Sequence, residues 1–170
     1  GGVTNNKLSQ NYKVAFYGAY GLKDTEIKFG ITPSYLVHKN SETWVSASYS
    51  EDLSEIAQTN FATDSRRFKI YDPRPINIST FYNNKLSSVY VESKALPKTT
   101  SYFAIAQSQV KPLFDYTFVN NGVSYTNYNI TTIQLGFQWN PFSNYMQTPF
   151  GKIEIEKRHP KFSIQFTQSL

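Results

Sequence analysis

Cysteine is absent from this chain of 170 residues. That excludes a disulfide framework, a thiolate metal site and a thiol nucleophile. Histidine occurs twice and methionine once. No window approaches the ~18 apolar residues that a membrane-crossing helix needs. The opening residues Gly1, Gly2, Val3 and Thr4 lack the basic start and apolar run of a signal peptide. Charge is sparse too, at 17% of residues with a formal net charge of +5. The basic side chains are scattered, with Arg66-Arg67 and Lys157-Arg158 as the only doublets. Without a basic stripe, no nucleic-acid partner is expected.

What the chain does have is aromatic rings, 16% of residues, in a sequence whose mean hydropathy is only −0.46. Rings in a polar background imply fine interleaving of apolar and polar residues. They do not imply thick apolar blocks, so strands are favoured over buried helices. The length suits one domain.

The period is two almost throughout. Ile27, Phe29, Ile31, Pro33, Tyr35 and Val37 alternate with Glu26, Lys28, Gly30, Thr32, Ser34 and Leu36. Successive side chains of a strand point to opposite faces, so this stretch is a ribbon with one apolar side. The same reading covers 12–22, 43–49, 86–95, 131–139, 151–156 and 162–167. Residues 76–82 and 101–109 alternate less cleanly and are also read as strands. Short polar turns are expected at Lys23-Asp24-Thr25, Lys39-Asn40-Ser41, Asn83-Asn84-Lys85, Pro97-Lys98-Thr99 and Arg158-His159-Pro160. Longer connections are expected at 51–75, 110–128 and 140–149. A helical turn fits Glu51 to Ala57, and Pro73 and Pro75 hold the end of that loop extended. Parallel strands would need crossovers of a dozen or more residues, so the reading is an antiparallel meander of about nine strands.

One apolar face per strand suits two architectures. In a soluble sandwich that face points to a core; in an outer-membrane barrel it meets lipid. The stretches 26–37 and 130–140 are long enough to cross a bilayer, which takes ~9–11 tilted residues. Tyr20, Tyr35, Tyr49, Trp139 and Phe142 fall near strand ends, as interfacial rings would, although aromatic residues also favour strands for other reasons. Polar faces carrying Lys28 with Glu26, Lys152 with Glu154, and Gln134 with Gln138 suit a wet lumen or an exposed sheet face alike. The pattern alone leaves both architectures open.

The run from Trp139-Asn140-Pro141-Phe142 to Thr148-Pro149-Phe150-Gly151, followed by Pro160-Lys161-Phe162-Ser163-Ile164-Gln165-Phe166, resembles the barrel segment of a large uncharacterised family from Bacteroidetes-type bacteria. Members join an N-terminal carboxypeptidase-regulatory-like β-sandwich to a C-terminal outer-membrane barrel of unknown function. Tyr17-Gly18-Ala19-Tyr20-Gly21-Leu22, Tyr49-Ser50-Glu51-Asp52-Leu53 and Asp72-Pro73-Arg74 are similar to that family too, so the resemblance spans about 17–168. It implies a single β-barrel segment over 1–170, a fragment of a longer protein, located in a bacterial outer membrane. Its regulatory-like domain has no counterpart here, and no peptidase chemistry carries over. Many such barrels end on an aromatic residue, whereas this chain ends on Leu170.

No constellation for catalysis emerges. His38 and His159 both sit in expected turns without partners at ligand or triad spacing. Glu51, Asp52 and Glu55 lack the spacing of a calcium loop and read as solvated charges. Arg66, Arg67 and Arg74 could hold a lipid phosphate, with a solvated loop as the plainer reading. Asn77-Ile78-Ser79 and Asn129-Ile130-Thr131 match glycosylation acceptors by chance frequency alone. No enzyme activity, cofactor or metal is expected. The expected partner is the lipid bilayer, with other envelope proteins besides. The lipid-facing candidates are Val14, Phe16, Ile27, Phe29, Ile31, Tyr35, Val45, Ile133, Leu135, Phe137, Trp139, Phe162, Ile164 and Phe166. The role would be that of a channel, a scaffold or a component of a surface complex. The competing expectations are a soluble β-sandwich that binds glycans or other surface ligands, and an outer-membrane hydrolase.

Overall fold

The computed structural model describes residues 1–5, 7–21, 26–55, 80–148, 151–156 and 158–170. Among these there is no helix, and the chain is all-β. Eight strands form one antiparallel sheet: β1 (Gly2–Val3), β2 (Tyr12–Tyr20), β3 (Ile27–His38), β4 (Thr43–Glu55), β5 (Phe81–Ser93), β6 (Thr99–Pro112), β9 (Tyr128–Trp139) and β12 (Phe162–Ser169). They lie side by side in that order. Two hairpins stand apart: β7 (Phe118–Asn120) with β8 (Val123–Tyr125), and β10 (Asn144–Thr148) with β11 (Gly151–Glu156). The meander follows from short polar connections, since antiparallel neighbours can be joined by a few residues.

One rim of the sheet carries the turn at 39–42, the segment 94–98 and the connection 140–161. At the other, β2, β4 and β6 end and β3, β5 and β9 begin. We call these the first and second rims. The outer edge of β12 hydrogen-bonds to no strand among the described residues, and on β2 only the stretch near Phe16 is paired, to β1. Among the described residues the sheet is therefore open.

Several local expectations are revised. The helical turn at Glu51–Ala57 is overturned where the structure describes it, because β4 continues through Glu55. Its register with β5 is unbroken from Trp44↔Glu92 to Glu55↔Phe81. The turn at Asn83-Asn84-Lys85 is also overturned. Those residues lie inside β5, opposite Leu53, Asp52 and Glu51, with Lys85 Nζ 3.2 Å from Glu51. Turn-forming side chains yield here to a ladder satisfied on both sides, since a strand's pairing overrides local preference. The expected connection 110–128 holds the β7–β8 hairpin, and 140–149 holds β10. The β7–β8 turn places Asn121 and Gly122 at φ 51° and 79°. Positive φ at both central residues is what the Asn-Gly pair of a tight hairpin favours. The turns at 39–41, 97–99 and 158–160 connect strands as expected, the last with a cis His159–Pro160 bond. The expected turn at 23–25, the prolines at 73 and 75, and the strand residues 76–79 lie outside the described residues.

Substantial packing runs only between hydrogen-bonded neighbours, so no second layer covers either face among the described residues. Among the described residues, the only buried hydrophobic side chains are Ala104 and Val110. The accessible surface is 12196 Å². A compact monomer of this mass would expose about 8,500 Å². The two faces nonetheless differ. Along β6, Phe103 and Ile105 are 40% and 46% exposed, whereas Ala104 between them is 2% exposed. A single layer shelters one face without a covering layer when it curves around that face. The sheltered side carries the small residues that let strands converge: Gly30, Ser46, Ala104 and Gly136 are all buried.

Cross-strand contacts knit this inner face. Thr32 Oγ1 lies 2.9 Å from Ser48 Oγ, and Ser46 donates to Ser34 at 2.8 Å. Tyr17 lies over Gly30, its register partner, and its hydroxyl donates to Asp52 of β4 at 2.9 Å. A Cβ built on Gly30 would come within 2.3 Å of Tyr17 Cε1, with two more ring atoms within 3.1 Å. Gly30→Ala must push the ring aside and break its bond to Asp52. We expect a loss of about 1–3 kcal/mol in equilibrium unfolding. Tyr17→Phe, which keeps the ring, should cost only about 1 kcal/mol. A Gly30→Ala cost that persists in a Tyr17→Ala background would refute the packing explanation.

Candidate membrane-facing surface

Every lipid-facing candidate from the sequence falls on the convex face. The registers align Phe16 with Ile31, Tyr12 with Tyr35, and Ile31 with Tyr49. They align Val45 with Val91, Val91 with Phe103, Phe103 with Leu135, and Leu135 with Phe166. Phe137 meets Ile164, and Trp139 meets Phe162, the two rings 5.7 Å apart. Ile27, Ile164 and Phe166 are 72%, 71% and 59% exposed. Phe16, Phe29, Ile31, Tyr35, Leu135, Phe137, Trp139 and Phe162 are exposed as well. Val14, Val45 and Ile133 are half-buried among larger neighbours. Large apolar side chains thus lie on the more exposed face, and small or polar ones on the more sheltered face.

The registers also reveal apolar residues absent from the sequence candidates. Tyr12, Tyr20, Val37, Tyr49, Val89, Phe103 and Ile105 belong to the same face and are exposed. Phe103 and Ile105 were hard to see because Ala104 and Ala106 between them are apolar too, which blurs the alternation. The missing clue was size, since the large residues alternate with small ones.

The apolar band does not follow the hydrogen-bonded rows. The row through Phe16, Ile31 and Tyr49 continues as Ser87, Gln107 and Thr131. The row through Ile164 and Phe137 continues as Ser101 and Ser93. The band is centred on the first of these rows at β2 and on the second at β12. Those rows cross β6 at Gln107 and Ser101, six residues apart, over six strand-to-strand steps. The slide is therefore about one residue, or ~3.3 Å, per strand spacing of ~4.8 Å. A band running level around a wall with that slide requires strands tilted by about 35°, within the range of β-barrels. Aromatic rings border the band: Tyr12, Tyr35, Trp139 and Phe162 toward the first rim, Tyr20 and Tyr49 toward the second. Beyond it on the second-rim side lie Lys85, Glu51, Gln109 and Asn129 in one row.

The concave face is largely polar, although Leu36, Leu86, Val110 and Ile130 also belong to it. It presents Lys28, Thr32, Ser48, Asp52, Asn84, Glu92, Gln134 and Gln138, with Tyr90 and Tyr102 paired at 5.4 Å between ring centroids. Lys13 Nζ sits 3.9 Å from the centre of the Trp44 ring on the same side.

The other sequence candidates do not converge. His38 ends β3, its Nδ1 2.7 Å from Ser41 Oγ. His159 lies in the bend before β12 at the same rim, with no catalytic partner among the described residues. Glu51 and Asp52 occupy adjacent positions of β4, so they point to opposite faces. No group of three His, Cys, Asp or Glu side chains fit to hold a metal occurs among the described residues. Asn129 of the Asn129-Ile130-Thr131 triplet is in β9. Arg66, Arg67, Arg74 and the triplet at 77–79 lie outside the described residues. Compared with protein-family models, curated proteins and solved structures, the chain matches none.

Adjacent residues on opposite faces provide a test. Leu135→Arg should cost about 2–4 kcal/mol of folding stability in a phospholipid bilayer if the convex face meets hydrocarbon. Gln134→Arg, on the concave face, should cost far less. In water, replacement of an exposed side chain shifts stability within about 0.5 kcal/mol. A neutral Leu135→Arg in vesicles would therefore refute lipid contact.

Proposed function

We propose that this chain is part of the wall of a bacterial outer-membrane β-barrel, with lipid as its principal partner and no chemistry of its own. One observation carries the reading: a continuous convex face of large apolar side chains is exposed in a single-layered sheet and slides across the register as a level band on tilted strands would. A soluble sandwich turns such a face toward a second sheet. In hydrocarbon every backbone N–H and C=O must find a partner, and an antiparallel wall supplies this between strands.

In this reading the concave face is the wet side. Its mixture of hydroxyls, amides and charges of both signs suits a water-filled interior. The resemblance of Trp139-Asn140-Pro141-Phe142 and Pro160-Lys161-Phe162 to barrels linked to a carboxypeptidase-regulatory-like domain points the same way. The role is that of a channel or scaffold whose connections at the rims meet other envelope proteins.

The chain contains two tryptophans. Trp139 is convex and 51% exposed, whereas Trp44 lies on the concave face beneath Lys13. Reconstituted into vesicles containing brominated lipid, the Trp44→Phe variant should have its remaining fluorescence strongly quenched. The Trp139→Phe variant should be nearly unaffected. Equal quenching of both, or full solubility without amphiphile, would reject the membrane wall in favour of a soluble surface or glycan-binding module.

A further inference from the structure

The β10–β11 hairpin leaves the sheet after Trp139 and returns at Phe162, the ends of two neighbouring strands. Such a hairpin could project straight off the rim. Instead it reaches sideways past β6 and β5 to the turn that begins β4. The Lys152 backbone N–H of β11 donates to Glu42 Oε1. Three strand spacings separate β9 from β4, a span of about 14 Å. A segment that leaves at β9 and is held at β4 lies over the rim ends of the strands between them.

The far anchor centres on one carboxylate. Glu42 sits in the 39–42 turn at φ 47°, with its side chain 13% exposed. Its other oxygen takes Lys94 Nζ at 2.6 Å, from the segment between β5 and β6. Lys152 Nζ reaches the Lys94 carbonyl at 3.4 Å. Glu42 therefore joins both neighbouring connections of the first rim to the hairpin. The near end is fixed separately. Asn140 N–H donates to the Lys98 carbonyl at 2.8 Å, and Lys98 Nζ to the Pro141 carbonyl at 2.6 Å. Lys161 bonds to Glu154 at 3.2 Å, and the fully buried Ser143 Oγ accepts from Arg158 N–H at 3.2 Å. The near end is held by several contacts that do not involve Glu42, so loss of Glu42 weakens the far end alone, leaving there only the Lys152 Nζ contact to the Lys94 carbonyl.

We propose that the β10–β11 hairpin is a strap across the first-rim mouth of the concave face, with Glu42 as its catch, and that it controls the entry of small polar solutes there. The proposal rests on the reading of the concave face as the wet side.

The absence of cysteine makes single-cysteine reporters clean. Thr100→Cys places a thiol on the concave face near the first rim, and Ser108→Cys places one near the second. The full chain is folded in detergent micelles and in phosphatidylcholine vesicles. Two readings are taken with and without Glu42→Ala: trypsin cleavage after Lys152, and reaction of each thiol with a charged methanethiosulfonate. Losing a charge-assisted contact should raise both the cleavage and the Thr100→Cys reaction about tenfold. The Ser108→Cys reaction should not change. Cleavage that rises while the Thr100→Cys rate stays constant would overturn the closure, and no change in either would overturn the catch. Should Glu42→Ala lose its strand circular dichroism, Glu42→Gln serves. It keeps an acceptor for Lys152 N–H but loses the charge facing Lys94, and should give a smaller rise of the same sign. Failure of the membrane reading would show separately, as a chain that does not partition into vesicles while its cleavage response in micelles persists.

Discussion

The antiparallel backbone ladder is the constraint on which the rest depends. Substantial packing here runs only along that ladder, and the buried apolar core among the described residues is two small side chains. An ordinary soluble domain gains most of its stability from apolar surface removed from water. In this sheet much of that surface remains uncovered. In the proposed reading, surrounding lipid supplies what a second layer would. Lipid does so on one condition, that backbone polar groups are satisfied within the wall, and strand pairing meets it for the six main strand-to-strand ladders. The open edges of β2 and β12 are where that condition is unmet among the described residues.

Sidedness and curvature are linked by side-chain size. Glycine, serine and alanine on the inner face allow the strands to converge there, while phenylalanine, isoleucine and leucine spread on the outer face. Tyr17 over Gly30 shows the inner face at its tightest: the absent side chain of one strand makes room for the ring of the next, and the ring's hydroxyl reaches a third strand. The same inner face carries the polar groups. Curvature and polarity thus fall on one side without needing a separate cause.

The rims are organised differently from the wall. At the first rim, charge and backbone hydrogen bonds replace apolar packing, and Glu42 joins segments distant in sequence. Those contacts hold a hairpin across strands with which it shares no ladder. A wall built on regular pairing tolerates variation at its rims, where connections are free of the two-residue period. In the proposed reading, recognition and gating belong there, since connections carry function more often than the elements they join.

Much was legible in the residues alone. Alternation is local and repeats every two positions, so most of the strands and the fourteen residues that share one face could be read directly. The Asn121-Gly122 pair is a local turn signal of the same kind, inside the expected connection 110–128. Other features depended on pairing. Nothing local shows that Asn83, Asn84 and Lys85 continue a strand, because their partners lie on β4 and β6. The slide of the apolar band exists only once the registers are known. Glu42 and Lys152 are 110 positions apart. The sequence determined that each ribbon has two unlike sides, because side-chain direction follows from the backbone of a single strand. Only the tertiary structure decided that the oily side is the exposed one, because exposure depends on how neighbouring strands curve and on whether another layer covers them.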